Sequence, residues 1–531
     1  MYRFFSGLGK LSFDIWVVVV KGDPRVLDVL PPHVGAGETS CTLLLVVPPQ
    51  RGLLEGFSTG LIAIANYLRR HSRQVNVSLL DFGSLGENEL GGPISEALLT
   101  ARGRVFVGIT GTTASYQSML ATARVFKQQQ PSCVIVMGGH HVSAQDHVVL
   151  NRHPDLVDFV IRGEGEAALS ALLRAYPDIA EVPNLSWREA GVVRRNPEGP
   201  LMKEAELDQL SPTFTDKRSR SAAGKFGHVT YVSARGCPLT CSFCVVRASP
   251  IRAKSIEAVV NDIRYLVAEQ GYRALAIEDN FFSHQPRRTL ALCAAIERLR
   301  LELDFNWDCQ TRVEAMRRID IVEAMARAGC SAAYLGVESL VPKHLVYLGK
   351  TLKPERYLTD LEEVVLPNML AARLDPYVNL QLGLPGEVPT DWDLTHTTLA
   401  RLGKIARAQG SDITVFPQLA VIYPGTPHFH QAVAKGVFGP QGEEVFEAFT
   451  AWEEQEEPIL NYLGEHFAHG VGGIPLGLLN TARLAKGEFE VAPRSISSIS
   501  TQLRRMDEIE GVSVFRYGRY LTKSLSVRAH G

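Results

Sequence analysis

The stretch RGCPLTCSFC, residues 235–244, places three of the chain's eight cysteines within eight residues. It follows an apolar run at residues 229–234 that predicts a β-strand, so the cysteines should lie on the loop at the carboxyl end of that strand. Gly236 and Pro238 favour an irregular loop that can wrap a metal centre. Thiolates suit soft metals and iron–sulfur clusters. The predicted metal ligands are Cys237, Cys241 and Cys244.

The spacing alone leaves two kinds of metal site open. Three cysteines are one short of a closed tetrahedral zinc site, so zinc completed by a distant histidine is one alternative. The other is a four-iron cluster on three thiolates, which leaves one iron open to a substrate or cofactor. The five remaining cysteines are scattered over apolar segments and are predicted to be core residues. They are Cys41, Cys133, Cys293, Cys309 and Cys330.

The cysteine loop opens a series of alternating strands and helices that we assign to residues 228–430. Six strands are predicted there, with helices between them. Such a series is typical of three quarters of an eight-fold barrel, a partial (β/α)6 barrel that is open on one side. The carboxyl ends of its strands should therefore share one rim with the cysteine loop.

A second alternating series occupies residues 41–195 and predicts a doubly wound parallel sheet. Ligands of such sheets lie beyond the carboxyl ends of the strands, and glycines there let a ligand approach the backbone closely. His140 and His141 either contact a ligand or are loop histidines without one. The predicted ligand-binding residues are Thr110, Gly111, Thr112, Thr113, Gly138, Gly139 and His140.

The remaining segments are assigned from their composition. Residues 1–40 are a lead-in whose prolines argue against much regular structure, although residues 17–20 could form an edge strand. Residues 184–195 predict a hairpin that turns at Ala190 and Gly191. Residues 196–227 are polar and rich in proline, as expected of a linker. Residues 431–531 are predicted to be a helical carboxyl-terminal domain.

Composition and charge exclude several classes of protein. Hydrophobic residues make up 45% of the 531 residues and the formal net charge is -2, so the chain is not the basic molecule expected of a nucleic-acid binder. The longest apolar run, residues 15–20, is far short of the roughly 20 residues that span a membrane. We see no secretory signal and expect a cytoplasmic protein without nucleic-acid or membrane partners.

The cysteine loop and the barrel series together resemble the radical S-adenosylmethionine (SAM) superfamily. The resemblance implies a [4Fe-4S] cluster on the three cysteines, SAM on the open iron, a 5′-deoxyadenosyl radical, and an electron donor such as flavodoxin or ferredoxin. Polar residues after the later strands are similar to family segments that line the SAM site, and two of them, Glu278 and Arg312, are predicted to be catalytic. The implied SAM-site residues are Glu278, Asp279, Asn280, Gln310, Arg312 and Glu338.

A doubly wound domain before such a barrel resembles the cobalamin-dependent radical SAM group, and residues 207–212 are similar to that group's connector. The resemblance implies cobalamin as a third cofactor. One feature departs from the D-x-H-x-x-G pattern of cobalamin mutases. The loop at residues 48–56 has no histidine, so a protein imidazole from this loop would not hold the lower face of cobalamin.

The implied activity is transfer of a methyl group from SAM through methylcobalamin to an unreactive carbon of a peptide, amino acid or secondary metabolite. One branch of the group, which methylates tryptophan, works without the radical step. The presence of Glu278 leaves membership of that branch as a further alternative. A cyclase, rearrangement or carbon–carbon bond-forming enzyme on the same scaffold, with or without cobalamin, is the alternative. A cobalamin or iron–sulfur sensor has less support, since the sequence shows no DNA-binding module.

Overall fold

Continuous apolar strands build the first sheet, and β2 (Cys41–Val47) is buried at every position, as expected of a strand covered on both faces. The computed structural model describes residues 26–28, 41–49, 58–72, 74–83, 85–212, 228–382, 384, 386–420, 423–434 and 505–514. The other strands of this sheet are β1 (Val26–Asp28), β3 (Val75–Asp81), β4 (Arg104–Thr110), β5 (Val134–Gly138), β6 (Phe159–Ile161), β7 (Leu185–Glu189) and β8 (Val192–Arg195).

The sheet has the order β1-β3-β2-β4-β5-β6-β7-β8, and its five central strands are parallel. The chain reverses direction across the sheet between β2 and β4, which is where doubly wound proteins bind ligands. Apolar cores lie on both faces of the sheet. The helices are α1 (Thr59–His71), α2 (Gly91–Thr100), α3 (Tyr116–Gln129), α4 (His140–Ala144), α5 (Asp146–Arg152) and α6 (Glu166–Ala175).

The edges of this sheet are antiparallel. The predicted hairpin is present as β7 and β8, and Ala190 and Gly191 both have positive φ at its turn. Pairing of β7 with β6 attaches the hairpin to the sheet. The sequence predicts little regular structure in residues 1–40, but β1 pairs with β3 at the opposite edge. Residues 17–20 lie outside the described part of the chain.

The second sheet contains seven parallel strands in the order β17-β16-β15-β14-β13-β12-β9. All six predicted barrel strands are among them, which confirms the fold class. The strands are β9 (His228–Tyr231), β12 (Ala274–Ile277), β13 (Asn306–Thr311), β14 (Cys330–Glu338), β15 (Asp375–Leu382), β16 (Ile413–Leu419) and β17 (Val512–Val514), and a separate two-stranded ladder is formed by β10 (Ala234–Arg235) and β11 (Arg252–Ala253).

Helices cover the outside of the barrel and enclose its apolar core. A short helix, α7 (Glu204–Leu207), precedes the barrel. The barrel helices are α8 (Ile256–Arg264), α9 (Pro286–Arg300), α10 (Val313–Met316), α11 (Ile319–Arg327), α12 (Pro342–Tyr347), α13 (Pro354–Asp360), α14 (Leu366–Ala371), α15 (Pro389–Ala408) and α16 (Pro427–Ala434).

The strand β17 lies in the region that the sequence predicts to be helical, so that prediction is wrong for residues 512–514. Val512 and Val514 are buried, and β-branched residues at alternate positions suit a half-buried strand. Gly403 in α15 allows the strand's approach, because a Cβ there would meet the backbone of Glu510. Close packing against a distant helix therefore decides this element.

Candidate functional site

The loop with the three predicted metal ligands is closed at its base by the β10–β11 ladder. Inside the loop, Cys237 and Ser249 exchange two hydrogen bonds: the Ser249 amide donates to the Cys237 carbonyl at 2.8 Å, and the Cys237 amide donates to Ser249 Oγ at 2.9 Å. Gly236 has φ +91°, and a Cβ on it would lie 2.9 Å from the carbonyl carbon of Pro250 and closer still to its oxygen. Only glycine fits at this position.

Backbone carbonyls of one distant segment and a histidine side chain of another hold the middle of the loop. Ser242 donates its amide to the Leu348 carbonyl at 3.0 Å, and its Oγ contacts the Tyr347 carbonyl at 3.0 Å and His428 Nε2 at 2.8 Å. Burial lowers the pKa of His428 to about 4, so its ring is neutral at physiological pH. These contacts fix the backbone between the second and third cysteines.

The three thiols are a donor set that suits an iron–sulfur cluster. Burial raises the pKa of Cys244, and the nearby Cys241 and Cys237 contribute in the same direction. Among the described residues, no group of three or more His, Cys, Asp or Glu side chains is close enough to hold one metal ion. A cluster does not require the three sulfurs to converge on one ion, because each thiolate binds a different iron.

Arg312 lies directly against this loop. Its Nη1 is 3.3 Å from Cys241 Sγ, and its Nη2 donates to the Lys350 carbonyl and to Glu314, each at 2.8 Å. The Nζ of buried Lys350 is 3.7 Å from Glu338, whose φ of +72° ends β14. The structure therefore brings Arg312 into contact with the cysteine loop, and Glu338 lies beside it through Lys350.

Glu278 and Gln310 meet at the carboxyl ends of β12 and β13, where Gln310 Nε2 donates to a Glu278 carboxylate oxygen at 2.5 Å. Burial raises the pKa of Glu278, although the hydrogen bond from Gln310 opposes the shift. Sequence reasoning missed Asp308, which faces the same side of β13 as Gln310 because side chains alternate along a strand. Burial, assisted by the charge of Glu278, raises the pKa of Asp308 to about 7.

The side chain of Asp279 has a different environment from those of Glu278 and Asn280, its neighbours in the sequence. Its carboxylate is buried and accepts hydrogen bonds from the Ser233 amide at 2.6 Å, from Ser233 Oγ at 2.5 Å and from the Ala234 amide at 2.9 Å. These contacts hold the chain where it enters the cysteine loop. Asn280 instead lines the cavity between the two sheets.

A cavity of about 790 Å³ lies between the carboxyl ends of the two sheets. Four of the predicted ligand residues of the first domain line it: Thr110, Gly138, Gly139 and His140. On the barrel side the wall includes Gly236, Val245 and Asn280. One space therefore touches both the glycine loops and the cysteine loop.

Three other predicted ligand residues lie away from the cavity. A Cβ on Gly111 would collide with Ser115 Oγ and would lie 2.7 Å from Met119 Sδ, so this glycine serves close packing inside the domain. Thr112 forms part of the short turn that starts there. Thr113 is buried, and its Oγ1 is 3.2 Å from Nδ1 of buried His141.

The cavity also extends down the face of the first sheet. Gly108 in β4 lines it together with Leu45 and Val136 of the neighbouring strands, because glycine has no side chain to fill the space. Sequence reasoning missed Gly108, although a glycine inside an apolar strand is the usual signal of close approach by a ligand. The shape suits a large ligand that is partly inserted between strands and helices. Residues 50–56 of the histidine-free loop lie outside the described residues.

A charged link crosses from the first domain to the cysteine loop. Glu164 and Glu166 follow β6, and they contact Arg235 and Arg252 of the β10–β11 ladder. Burial would raise the pKa of Glu164, but the hydrogen bond from Arg252 and the charge of Arg235 lower it overall. Sequence reasoning assigned no role to these two carboxylates.

Two family models match the chain: the B12 binding domain over residues 53–173 and the Radical SAM superfamily over residues 231–393. The chain belongs to the radical SAM enzymes that carry a B12-binding domain. Its cofactors are accordingly a [4Fe-4S] cluster, SAM and cobalamin. No helix among the described residues has the length and apolar character needed to cross a membrane.

Curated relatives are similar over different shares of the chain. An uncharacterized methyltransferase of Pyrococcus horikoshii is 26% identical over 409 residues, which are 74% of this chain and 84% of that protein. The anaerobic magnesium-protoporphyrin IX monomethyl ester cyclase of Synechocystis sp. is 23% identical over 64% of this chain and 66% of its own length. The cobalamin-dependent radical SAM methyltransferase TokK of Streptomyces tokunonensis is 29% identical over 36% of this chain and 29% of its own length.

Solved structures share the fold. The radical SAM methyltransferase TsrM of Kitasatospora setae, with cobalamin and a [4Fe-4S] cluster bound, has a TM-score of 0.61 at 18% identity and covers 75% of this chain and 79% of its own. The cobalamin-dependent SAM radical enzyme OxsB has a TM-score of 0.55 at 17% identity, over 68% of this chain and 52% of its own.

Proposed function

We propose that this enzyme is a cobalamin-dependent methyltransferase that moves a methyl group from SAM through cobalamin to an unreactive carbon. The observation that carries the proposal is the single cavity, which is lined by Gly138 and His140 on one side and by Gly236 and Val245 on the other. Methyl transfer between two cofactors needs both of them at one enclosed space. The bound cofactors supply one-electron reduction of SAM and methyl carriage at cobalt.

The chain's own residues would bind and orient these groups. Cys237, Cys241 and Cys244 would hold the cluster, and Arg312 would stabilise the charge on Cys241 through its 3.3 Å contact. Glu278 and Gln310 would present their hydrogen-bonded pair to SAM at the barrel rim. A peptide, an amino acid or a secondary metabolite would enter the cavity, and flavodoxin or ferredoxin would deliver the electron.

The loops of the first domain would hold cobalamin. Gly138 and Gly139 let the corrin approach the backbone, and the groove beside Gly108 would take the nucleotide tail. His140 faces the cavity, and burial by its walls lowers the pKa of its ring, so it would present a neutral imidazole there.

Isotope labelling tests the reaction. Cells that express the enzyme and receive methionine with a deuterated methyl group should make a product that carries the intact labelled methyl. Cys241→Ala should abolish that product because it removes a cluster ligand, yet it should keep bound cobalamin because the two sites lie on different domains. Cys133→Ala is the matched control, since this cysteine is buried in the first domain, far from the loop in sequence.

The likeness to a cyclase supports the alternative, a ring-forming or rearrangement reaction on the same scaffold. A product that gains no labelled methyl group and differs from its substrate by loss of hydrogen would establish that reaction instead. Persistence of the labelled product in Cys241→Ala would show that the cysteine loop does not support methyl transfer.

A further inference from the structure

The base of the cysteine loop brings two like charges together. Arg235 of β10 stands directly opposite Arg252 of β11. Like charges at opposed positions of neighbouring strands repel each other, so this ladder needs nearby carboxylates to close the loop. Closure of the loop directly constrains the position of the first cluster ligand, because Gly236 and Cys237 follow Arg235 in the chain.

The required carboxylates come from the other domain. Glu164 accepts two hydrogen bonds from Arg252, at 2.8 and 3.0 Å, and its Oε1 lies 3.3 Å from Arg235 Nη1. Glu166 accepts from Arg235 Nη2 at 2.6 Å, and its side chain is only 3% exposed. Charge-assisted hydrogen bonds of this kind fix geometry as well as charge, because the guanidinium is a rigid planar group.

The same four side chains line the cavity between the domains. The link therefore lies beside the space through which a methyl group would pass, and it joins the segment after β6 to the entrance of the cysteine loop. Further contacts tie this base to the segment before the barrel: Ser255 donates its amide to Asp208 at 2.6 Å. The base of the cysteine loop is thus held both by the first domain and by the segment before the barrel.

We propose that Arg235 and Glu166 are positioning residues, which set the distance between the cluster loop and the cobalamin domain through the Glu164–Glu166–Arg235–Arg252 link. The proposal rests on the proposed function, because the distance matters for passage of a methyl group between two cofactors. Displacement of reacting groups by about 1 Å can cost 10²-fold in rate, so loosening this link should slow the transfer at least tenfold.

The test compares Glu166→Gln, Arg235→Gln and the double variant with the wild-type holoenzyme. Glu189→Gln is the matched control, since Glu189 also pairs with an arginine in the first domain but on its exposed hairpin. Iron, sulfide and bound cobalamin are counted first. The second readout is the magnetic coupling between cobalt(II) and the reduced cluster, measured by electron paramagnetic resonance, which reports their separation without any turnover.

The third readout is the initial rate at which SAM becomes S-adenosylhomocysteine. The methyl carbon leaves the sulfur of SAM, and cobalt(I), prepared with titanium(III) citrate, provides the electron pair of the new bond. We expect both link variants to keep iron and cobalamin, to show altered coupling, and to react at least tenfold more slowly. The double variant should be no slower than Arg235→Gln alone, because that variant already removes the contacts of Arg235 with both Glu166 and Glu164.

Unchanged coupling and rate in Glu166→Gln would overturn the proposal. Loss of iron in that variant would also overturn it, because the link would then serve folding of the loop. Glu166→Asp keeps the charge on a shorter side chain and should recover part of the rate. A wild-type enzyme that forms no S-adenosylhomocysteine would contradict the proposed function, while the coupling measurement would still decide whether the link sets the separation.

Discussion

Alanine at Gly236 should prevent the cysteine loop from holding its cluster. The left-handed backbone at φ +91° costs a residue with a Cβ about 1–2 kcal/mol. The new Cβ would also overlap the carbonyl of Pro250, and relief of that overlap requires residues 249–250 to move. Movement there would break the two hydrogen bonds between Cys237 and Ser249, each worth about 1 kcal/mol. The loop should therefore be destabilised by about 3–4 kcal/mol.

Gly271→Ala separates the backbone strain of a positive φ from the collision of a new Cβ with its surroundings. Gly271 has φ +81°, and no atom lies within 4 Å of its hypothetical Cβ, so alanine there meets backbone strain without a collision. Both variants are reconstituted anaerobically, and iron and sulfide are counted per chain. We expect Gly236→Ala to hold less than about a tenth of the wild-type iron, because about 3–4 kcal/mol exceeds a hundredfold in an equilibrium constant. Gly271→Ala should bind iron normally.

Wild-type iron in Gly236→Ala would refute the reasoning, since the Pro250 carbonyl would then have room to move. Equal loss of iron from both variants would show that positive φ decides the outcome by itself. Bound cobalamin serves as an internal check, because the first domain should retain it in either variant.

Two further predictions concern pH and stability. Asp308→Asn should raise the unfolding temperature at pH 8 and change it little near pH 4. The pKa of this carboxyl rises from 3.8 to about 7 on folding, so the wild-type fold loses about 4 kcal/mol of stability as the pH rises from 3.8 to 7, where the unfolded chain ionises first. Circular dichroism melts at both pH values check this, and a pH-independent difference would contradict it. Asp146→Ala should cost about 1–3 kcal/mol at neutral pH, because Arg162 and Ser186 lose a buried partner while the half-exposed Arg195 is rehydrated. Burial opposes the shift, but hydrogen bonds from Arg195 and Ser186 hold the pKa of Asp146 below 3.8, so urea unfolding should show this difference above pH 4 and its loss as the pH falls through the lowered pKa.

Local patterns were enough to predict the fold class and to suggest which strand ends carry the candidate site residues. Three cysteines in one loop stay close together in any fold. In barrels and in doubly wound sheets alike, ligands bind at the carboxyl ends of the parallel strands. Gly138 and Asn280, which follow this rule, line the cavity. The rule failed for Gly111 and Thr113, because the chain turns inward after β4 and uses them for packing.

Tertiary structure alone decided which distant residues meet. The sequence by itself determined two alternating series and a cysteine loop, since periodicity and spacing depend on neighbours along the chain. It did not reveal that Glu166 contacts Arg235, 69 residues away, or that Arg312 contacts Cys241, 71 residues away. These contacts depend on how the two sheets and the linker pack against each other. The free energy of that packing comes from many buried side chains at once, and no short stretch of sequence contains it.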